Sequence, residues 1–599
     1  MMSQRTRLHL LVLFCATVFI ASPTAAEQQT FQRPPNATAY QTEPELFSDQ
    51  YYTFPKPIRR VAVIGAGPGG LVHADALIKD GFEVRLFERA PQPGGQWYYT
   101  ETTPLPASFP NLPINISAYT PDVPPRIPFT REYEDGDDGL SVSWRLREHG
   151  IPSSVWSSMT TTIPPVAMVL PEIAWPADTP WYMNRRHVGR YLRQYASSIG
   201  LHSNDEESAH ITSYSTRVER AVKNQETGNW ELLLRRMVPI NLPGQPAKLK
   251  VDWWTEEFDA VVAAPALFHD APYVPDVPGL HEWANAFPDC VIHSREYRRP
   301  DRFAGKSVLI VGGSFSATGI AIDLAPHTKY LAASVRHGAD GPRKGLLTRF
   351  PKNATLVHEI VALSSFQPST GMALRDAKIQ LSNGQTIGGF DCIIFATGAR
   401  HSYPFLPGFH NSSIVGLSDP EVEIAPIITD GTHRRSLHWT GHYIPDPTLA
   451  ISTLFPWDHG PFQATGFARV WSGKARLPSI ERMWAAYPGH GRTLMANPGM
   501  RELTQRLYLG WLNEEAIKFG GRLIAPVLRE AYQPLNYWYH FLYGPGAFSL
   551  DAAQHQEEMP RSEWRMYNGD GESNPLSTMS DEEVLSVISP HWAEVVPTW

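Results

Sequence analysis

The feature that most constrains this chain is a short β-branched run, Val61-Ala62-Val63-Ile64, that breaks into Gly65-Ala66-Gly67-Pro68-Gly69-Gly70. An apolar-periodic stretch follows from Leu71 to Ile78, and a second strand signal, Val84-Arg85-Leu86-Phe87, ends at Glu88. Strand, glycine turn, helix and strand in that order form the βαβ unit of a parallel sheet with a right-handed crossover. Gly65 allows the tight turn, Gly67 lets the backbone approach a pyrophosphate, Gly69 continues the turn, and Gly70 lets the helix pack closely on the sheet. The phosphates then sit at the helix N-terminus, where free N–H groups and the helix dipole favour negative charge. Glu88 falls about 20 residues on, where an acid accepts hydrogen bonds from the adenosine ribose hydroxyls. The alternative, a glycine turn with no nucleotide, leaves the strand, helix and acid around it unexplained.

The pattern recurs. Lys306 to Val311 is a strand signal, Gly312-Gly313-Ser314-Phe315-Ser316-Ala317 a turn, Gly319 to Leu324 opens a helix, and Tyr330 to Val335 is a strand. Gly312, Gly313, Ser314 and Ser316 are the candidate phosphate contacts, and Ala317 replaces the last glycine while still permitting close packing. No acid ends the second strand; Arg336 stands there instead. A carboxylate would repel a 2′-phosphate, whereas a guanidinium binds it through a charge-assisted fork, which favours NADPH over NADH. The alternative for Arg336 is an ordinary surface arginine. A further strand signal, Asp391 to Phe395, ends at Ala396-Thr397-Gly398. The parse is one nucleotide-binding domain over 58–278 and 389–548, interrupted by a second over 279–388, with an irregular lead-in at 27–57 and a tail at 549–599.

Composition bounds the rest. A chain of 599 residues, 42% apolar and 19% charged, can hold two domains and is too apolar for disorder. The net charge of −8 is mild, and no basic run suggests nucleic acid. The acidic stretch Arg131 to Gly139 lacks calcium-loop spacing and reads as a solvated insertion. The aromatic stretch Tyr532 to Phe548 reads as packing against the main domain. The three cysteines, Cys15, Cys290 and Cys392, form no C-x-x-C, so neither a metal site nor a local dithiol motif is indicated. Cys290 and Cys392 read as buried free thiols. Arg5 and Arg7 precede an apolar run from Leu8 to Ala21 and then small residues, as in a secretory signal peptide over 1–26; a signal anchor is the alternative. Sequons at Asn36, Asn115, Asn353 and Asn411 fit a place in the endoplasmic reticulum lumen or outside the cell. No other segment is long and apolar enough to span a membrane.

Phe287-Pro288-Asp289-Cys290-Val291-Ile292-His293-Ser294-Arg295-Glu296-Tyr297-Arg298 is similar to the identifying sequence of the flavin-containing monooxygenases, F-x-G-x-x-x-H-x-x-x-Y-[KR], with Asp289 in place of the glycine. Gly94-Gly95-Gln96-Trp97 resembles the family's G-G-x-W, Phe395 to Gly398 its A-T-G region, and Pro461-Phe462-Gln463 the helix start that faces the flavin ring. The likeness spans roughly residues 58–480. It implies a two-dinucleotide-binding-domain α/β flavoprotein with doubly wound parallel sheets, the NADP domain inserted in the FAD domain. FAD would lie at the first turn, with Gly95, Gln96, Trp97, Thr397 and Gln463, and NADPH at the second. The resemblance further implies that reduced flavin captures oxygen as a C4a-hydroperoxyflavin and oxygenates a nucleophilic nitrogen or sulfur of a small organic molecule, less readily a carbonyl, as in specialised metabolism. Tyr297, where the related Baeyer–Villiger enzymes carry Trp, points to the nitrogen- and sulfur-oxygenating branch.

Three departures qualify what the likeness implies. Trp156 to Pro164 resembles a segment that carries the family's active-site Asn, and Thr162 takes its place. A hydroxyl cannot reproduce the donor and acceptor pair of an amide. Two other outcomes therefore stay open: an NADPH-consuming oxidase that releases peroxide, and a nucleotide-binding relative without turnover. Ala263-Ala264-Pro265-Ala266 stands where the family has its first A-T-G, and Pro265 removes a backbone donor. Secretory targeting is also unexpected for an enzyme that needs NADPH. His459 reads as part of a hydrogen-bonded loop near the flavin, with an acid/base role as the alternative. Oligomeric state is open.

Overall fold

The computed structural model describes residues 50–524, apart from 164, 166–167, 181, 204–208, 241–245, 265–270, 337–346, 348, 413–424, 453–456, 458 and 488–497. The signal segment, Asn36, Pro265, the Tyr532 to Phe548 stretch and the tail lie outside the described residues.

The first βαβ unit consists of β1 (Arg60–Ile64), α1 (Pro68–Lys79) and β2 (Glu83–Phe87). Pro68 opens α1, where its fixed φ suits the first turn and its missing N–H costs nothing. The helix ends at Asp80, and Gly81, at φ +94°, turns the chain back towards β2. Farther along come β3 (Ala260–Ala263), β4 (Val291–His293), β5 (Ser307–Val311), α2 (Phe315–Leu324), β6 (Tyr330–Ser334), β7 (Cys392–Phe395), β8 (Leu449–Ile451) and α3 (Gly460–Trp471).

A seven-stranded sheet carries Leu437–His438, His442–Tyr443, β8, β3, β1, β2 and Thr212–Ser213 in that order. Its β8, β3, β1 and β2 are parallel. The second sheet is five-stranded and all parallel, in the order β4, β7, β5, β6 and Ala354–Val357. Alternation along a strand sends neighbouring side chains to opposite faces. In β1, Val61 and Val63 enter one apolar cluster while Ala62 and Ile64 enter another. In β5, Val308 and Ile310 enter one cluster and Leu309 and Val311 its opposite. Both sheets are therefore covered on two faces, which explains why their strands read as continuous apolar runs. Each buried aliphatic side chain contributes about 1.5–3 kcal/mol. The fold class is thus as expected, two doubly wound nucleotide-binding units.

Two expectations change. The boundary at 388 assigned Asp391 to Phe395 to the first domain, yet β7 pairs with both β4 and β5 in the second sheet. Its residues alternate between the two clusters of that sheet, so its natural place is the sheet's interior. The acidic stretch is also no plain loop: Phe129–Glu134 is a strand of an antiparallel sheet with Lys248–Phe258, Trp230–Ile240 and Thr216–Lys223. The carboxylates of the following turn are used locally, Asp135 accepting from the Val142 N–H and Asp137 from the Glu134 N–H.

Candidate dinucleotide and flavin site

The two glycine turns are built by the same device. Gly65 has φ +102°, and a Cβ there would meet the Ala264 carbonyl oxygen at 2.6 Å; Gly312 has φ +133°, and a Cβ would meet the Ala396 carbonyl oxygen at 2.3 Å. Ala264 and Ala396 directly follow β3 and β7, the strands packed beside β1 and β5. Only glycine accepts both the left-handed backbone and the close approach. The turns then differ. A Cβ on Gly70 would lie 1.7 Å from the Gly65 carbonyl oxygen, whereas Ala317 has a real methyl, fully buried in the core of the second sheet.

Both turns open onto one cavity of about 1530 Å³. That exceeds the roughly 300–1,000 Å³ of a pocket for one drug-sized ligand, as two dinucleotides require. Gly65, Gly67, Gly69, Glu88, Gly95, Gln96, Trp97, Thr162, Gly312, Gly313, Ser314, Ser316, Arg336 and Thr397 all line it. Gly67 and Gly95 face each other so closely that a Cβ on Gly95 would sit 2.7 Å from the Gly67 Cα. The buried Trp97 Nε1 has no hydrogen-bond partner among the described residues, a donor left for a bound group. The Glu88 carboxylate is buried and accepts from the Ala66 and Ala90 N–H groups at 2.7 and 2.8 Å. It therefore stays at the turn with its orientation set. These features fit a flavin dinucleotide at the first turn.

Two of the expected contacts lie off the wall. Gly70 serves packing between helix and turn. Gln463 is fully buried in α3, its amide against Gly441 and beside His73. The motif located the helix start correctly, but a sequence carries no signal for how deep the fourth residue of a helix will sit. His459, just before α3, is likewise buried and off the cavity, and burial holds its imidazole down to about 4, so it is neutral. Asn115 and Asn353 are exposed and Asn411 is half-buried.

The identifying segment acts on the walls from behind. His293 Nε2 donates to the Gly398 carbonyl at 3.1 Å, and its Nδ1 accepts from the Arg295 N–H at 3.2 Å. Burial and the Arg295 charge hold it neutral, at about 3. Arg298 donates to the carbonyls of Ser153, at 2.7 Å, and Thr102, at 3.1 Å, both on the cavity wall. Tyr297 donates to Asp323 at 2.6 Å. Asp289, where the family has glycine, lies on the exposed turn before β4.

At the second turn, Arg336 is 76% exposed and, among the described residues, pairs with Glu359 at 3.6 Å. An exposed pair of this kind is worth about 0–1 kcal/mol, so the guanidinium is free to exchange partners. Cavity residues outside every motif include Tyr119, Arg147, Arg217, Val218 and Met237, near the Glu88 end, and Met168 and Trp457, while Trp156 and Met159 come from the segment that carries Thr162. No local sequence signal marks the first group, because the antiparallel sheet and its flanks bring it in from separate segments.

Residues 131–362 match the Flavin-binding monooxygenase-like family, and residues 63–127 match the NAD(P)-binding Rossmann-like domain. The chain is 37% identical over 545 residues to flavin-containing monooxygenase iboF of Amanita muscaria, covering 86% of this chain and 98% of that protein. It is 28% identical to flavin-containing monooxygenase ustF2 of Aspergillus flavus, covering 76% of this chain and 92% of that one. The solved structure of S-allyl-L-cysteine S-oxygenase from Allium sativum shares the fold with a TM-score of 0.52 at 20% identity, over 84% of this chain and 99% of that one. Twin glycine turns on a common cavity, together with this relatedness along most of the chain, establish a member of the flavin-containing monooxygenase family, an oxidoreductase that works with FAD and NADPH.

Proposed function

We propose that this monooxygenase transfers one oxygen atom to a nucleophilic nitrogen or sulfur of a small organic molecule. The observation that carries the reading is the single cavity that joins both glycine turns, so that two dinucleotides can meet without leaving protein. FAD bound there supplies the redox and oxygen chemistry, with NADPH as hydride donor. In this reading Gly65, Gly67, Gly69 and the first turn of α1 hold the flavin pyrophosphate, Glu88 the adenosine ribose, and Gly95 to Trp97 the flavin side of the cavity. Gly312, Gly313, Ser314 and Ser316 hold the NADPH pyrophosphate. Trp156, Met159, Met168 and Trp457 supply apolar wall that excludes water from the reacting centre. The same wall suits an acceptor that enters uncharged.

Thr162 favours a second reading, an oxidase, because its hydroxyl offers less than the amide it replaces. The two separate in one balance sheet: NADPH consumed, peroxide released and product oxygenated, with small amines and thioethers as acceptors. Oxygenated product close to one per NADPH supports the monooxygenase. Stoichiometric peroxide with every acceptor tried supports the oxidase and contradicts the leading reading.

Arg336→Ala is expected to raise KM for NADPH by about 10–100-fold, as loss of a charge-assisted contact implies, with NADH little changed. Steady-state kinetics with both nucleotides checks this; equal effects on the two would refute the assignment of Arg336 to the 2′-phosphate.

A further inference from the structure

The cysteines belong to none of this chemistry, yet the fold brings two of them together. β4 and β7 run parallel with Val291 opposite Ile393, and the Ile393 N–H donates to the Cys290 carbonyl at 2.8 Å. One step back along that register, Cys290 stands opposite Cys392. Neighbouring strands lie about 4.7–4.9 Å apart, inside the roughly 4.4–6.8 Å between Cα atoms that a disulfide spans. The register thus sets the two thiols side by side, and both are free.

Their surroundings differ. Cys392 is fully enclosed, whereas Cys290 is half-buried at the start of β4, one residue outside the regular strand. This corrects the expectation of two buried thiols, since β4 starts at the sheet edge and leaves Cys290 partly open. The neighbouring Cys392 thiol favours a thiolate on Cys290, and although partial burial works against it, Lys306 and Arg302 lie near enough to favour one too. The Cys290 thiol is thereby held below the usual thiol range, while Cys392 is pushed up by the same neighbour and by burial. An accessible thiolate beside cations with a second thiol in contact is the arrangement of an attacking and a resolving cysteine.

We propose that Cys290 and Cys392 form a peroxide-reactive thiol pair, Cys290 attacking and Cys392 resolving, that closes into a reversible disulfide between β4 and β7. The Cys290 thiolate attacks one oxygen of hydrogen peroxide, the O–O bond breaks, and hydroxide leaves, taking a proton to become water. Cys290 is then a sulfenic acid. The Cys392 sulfur attacks it, the S–O bond breaks, and a second water leaves as the disulfide forms. Two thiols are oxidised by two electrons and one peroxide is reduced to two waters. The oxidant is one that any uncoupled reaction of reduced flavin with oxygen releases, so it arises within the same protein. Both strands end on the cavity wall, at His293 and at Ala396 to Gly398.

The test is peptide mapping of the purified FAD-bound protein after brief treatment with equimolar hydrogen peroxide. The expected result is a Cys290–Cys392 cross-linked peptide about 2 Da lighter than the sum of the two thiol peptides, lost again on dithiothreitol treatment. In Cys392→Ser, Cys290 should instead trap dimedone as a sulfenic acid, while in Cys290→Ser, Cys392 should stay unmodified. Wild-type protein in which both thiols survive, or in which Cys290 passes to sulfinic acid with no cross-link, would overturn the pair. This wild-type result stands even if a serine variant fails to fold.

Discussion

Gly70→Ala is expected to strip the protein of bound FAD. A methyl at this position would lie 1.7 Å from the Gly65 carbonyl oxygen and 2.8 Å from its carbon, so the backbone itself has to move. No side chain can rotate away to make room. Overpacking of this kind costs about 1–3 kcal/mol, and more where the obstacle is main chain. The strain falls on the turn that holds the pyrophosphate, and a loss of about 3 kcal/mol in binding is a fall of roughly 100-fold in affinity. Flavin absorbance per protein after desalting measures this. Gly81→Ala is the control: its φ is +94° but nothing lies within 4 Å, so it should lose about 1–3 kcal/mol of stability to backbone strain and keep its flavin. A Gly70→Ala protein with full flavin content would show that the helix does not need to pack so close.

The second large effect is expected at Glu219, which is fully buried beneath the cavity's Arg217. Its carboxylate accepts from Arg217 at 2.9 and 3.2 Å, pairs with Arg235 at 2.7 Å, and takes the Asp122 N–H at 2.9 Å. Glu148 faces the same two guanidinium groups at 2.8 and 2.7 Å. Removing Glu219 leaves the two buried cations with Glu148 and, for Arg235, the half-exposed Asp122 at 2.9 Å, and breaking such a network costs about 3–5 kcal/mol. Glu219→Gln should therefore lower denaturant stability by about that much; a change below about 1 kcal/mol would contradict the argument. The network also sets an acid limit. Burial raises the Glu148 carboxyl, but Arg217 and Arg235 outweigh it and hold the carboxyl below its usual value. A depressed carboxyl stabilises the fold above its unfolded value, about 4.3, and that contribution is lost as pH falls through the folded value.

Much of the nucleotide framework was legible because glycine leaves marks that few other constraints imitate. Gly65 and Gly312 occur where a strand stops and a helix starts, and the structure puts both against the carbonyl that follows a neighbouring strand. Glu88 and Arg336 are readable by position alone, at the ends of β2 and β6, and both line the cavity. Membership of the second sheet was harder to read for β7, because an apolar run of four residues fits the centre of either sheet and only the crossover path decides. The antiparallel wall was hardest. Arg217, Glu219 and Arg235 look like a solvated face in sequence, yet mutual pairing lets all three be buried. Gln463 shows the converse limit, since resemblance located its helix but not its depth. The cysteines show a third: register joins Cys290 to Cys392 across 102 positions, and no spacing rule anticipates it.

The expected consequence of seating FAD and NADPH at the two turns is reduction of one by the other. It is tested most directly by mixing the purified yellow protein with NADPH, or with NADH, in the absence of oxygen and following flavin absorbance. Complete bleaching by NADPH is expected, at least about tenfold faster than by NADH at equal concentration, as one charge-assisted contact to a 2′-phosphate provides. A protein that keeps its yellow colour with NADPH, or that NADH bleaches equally fast, would contradict it.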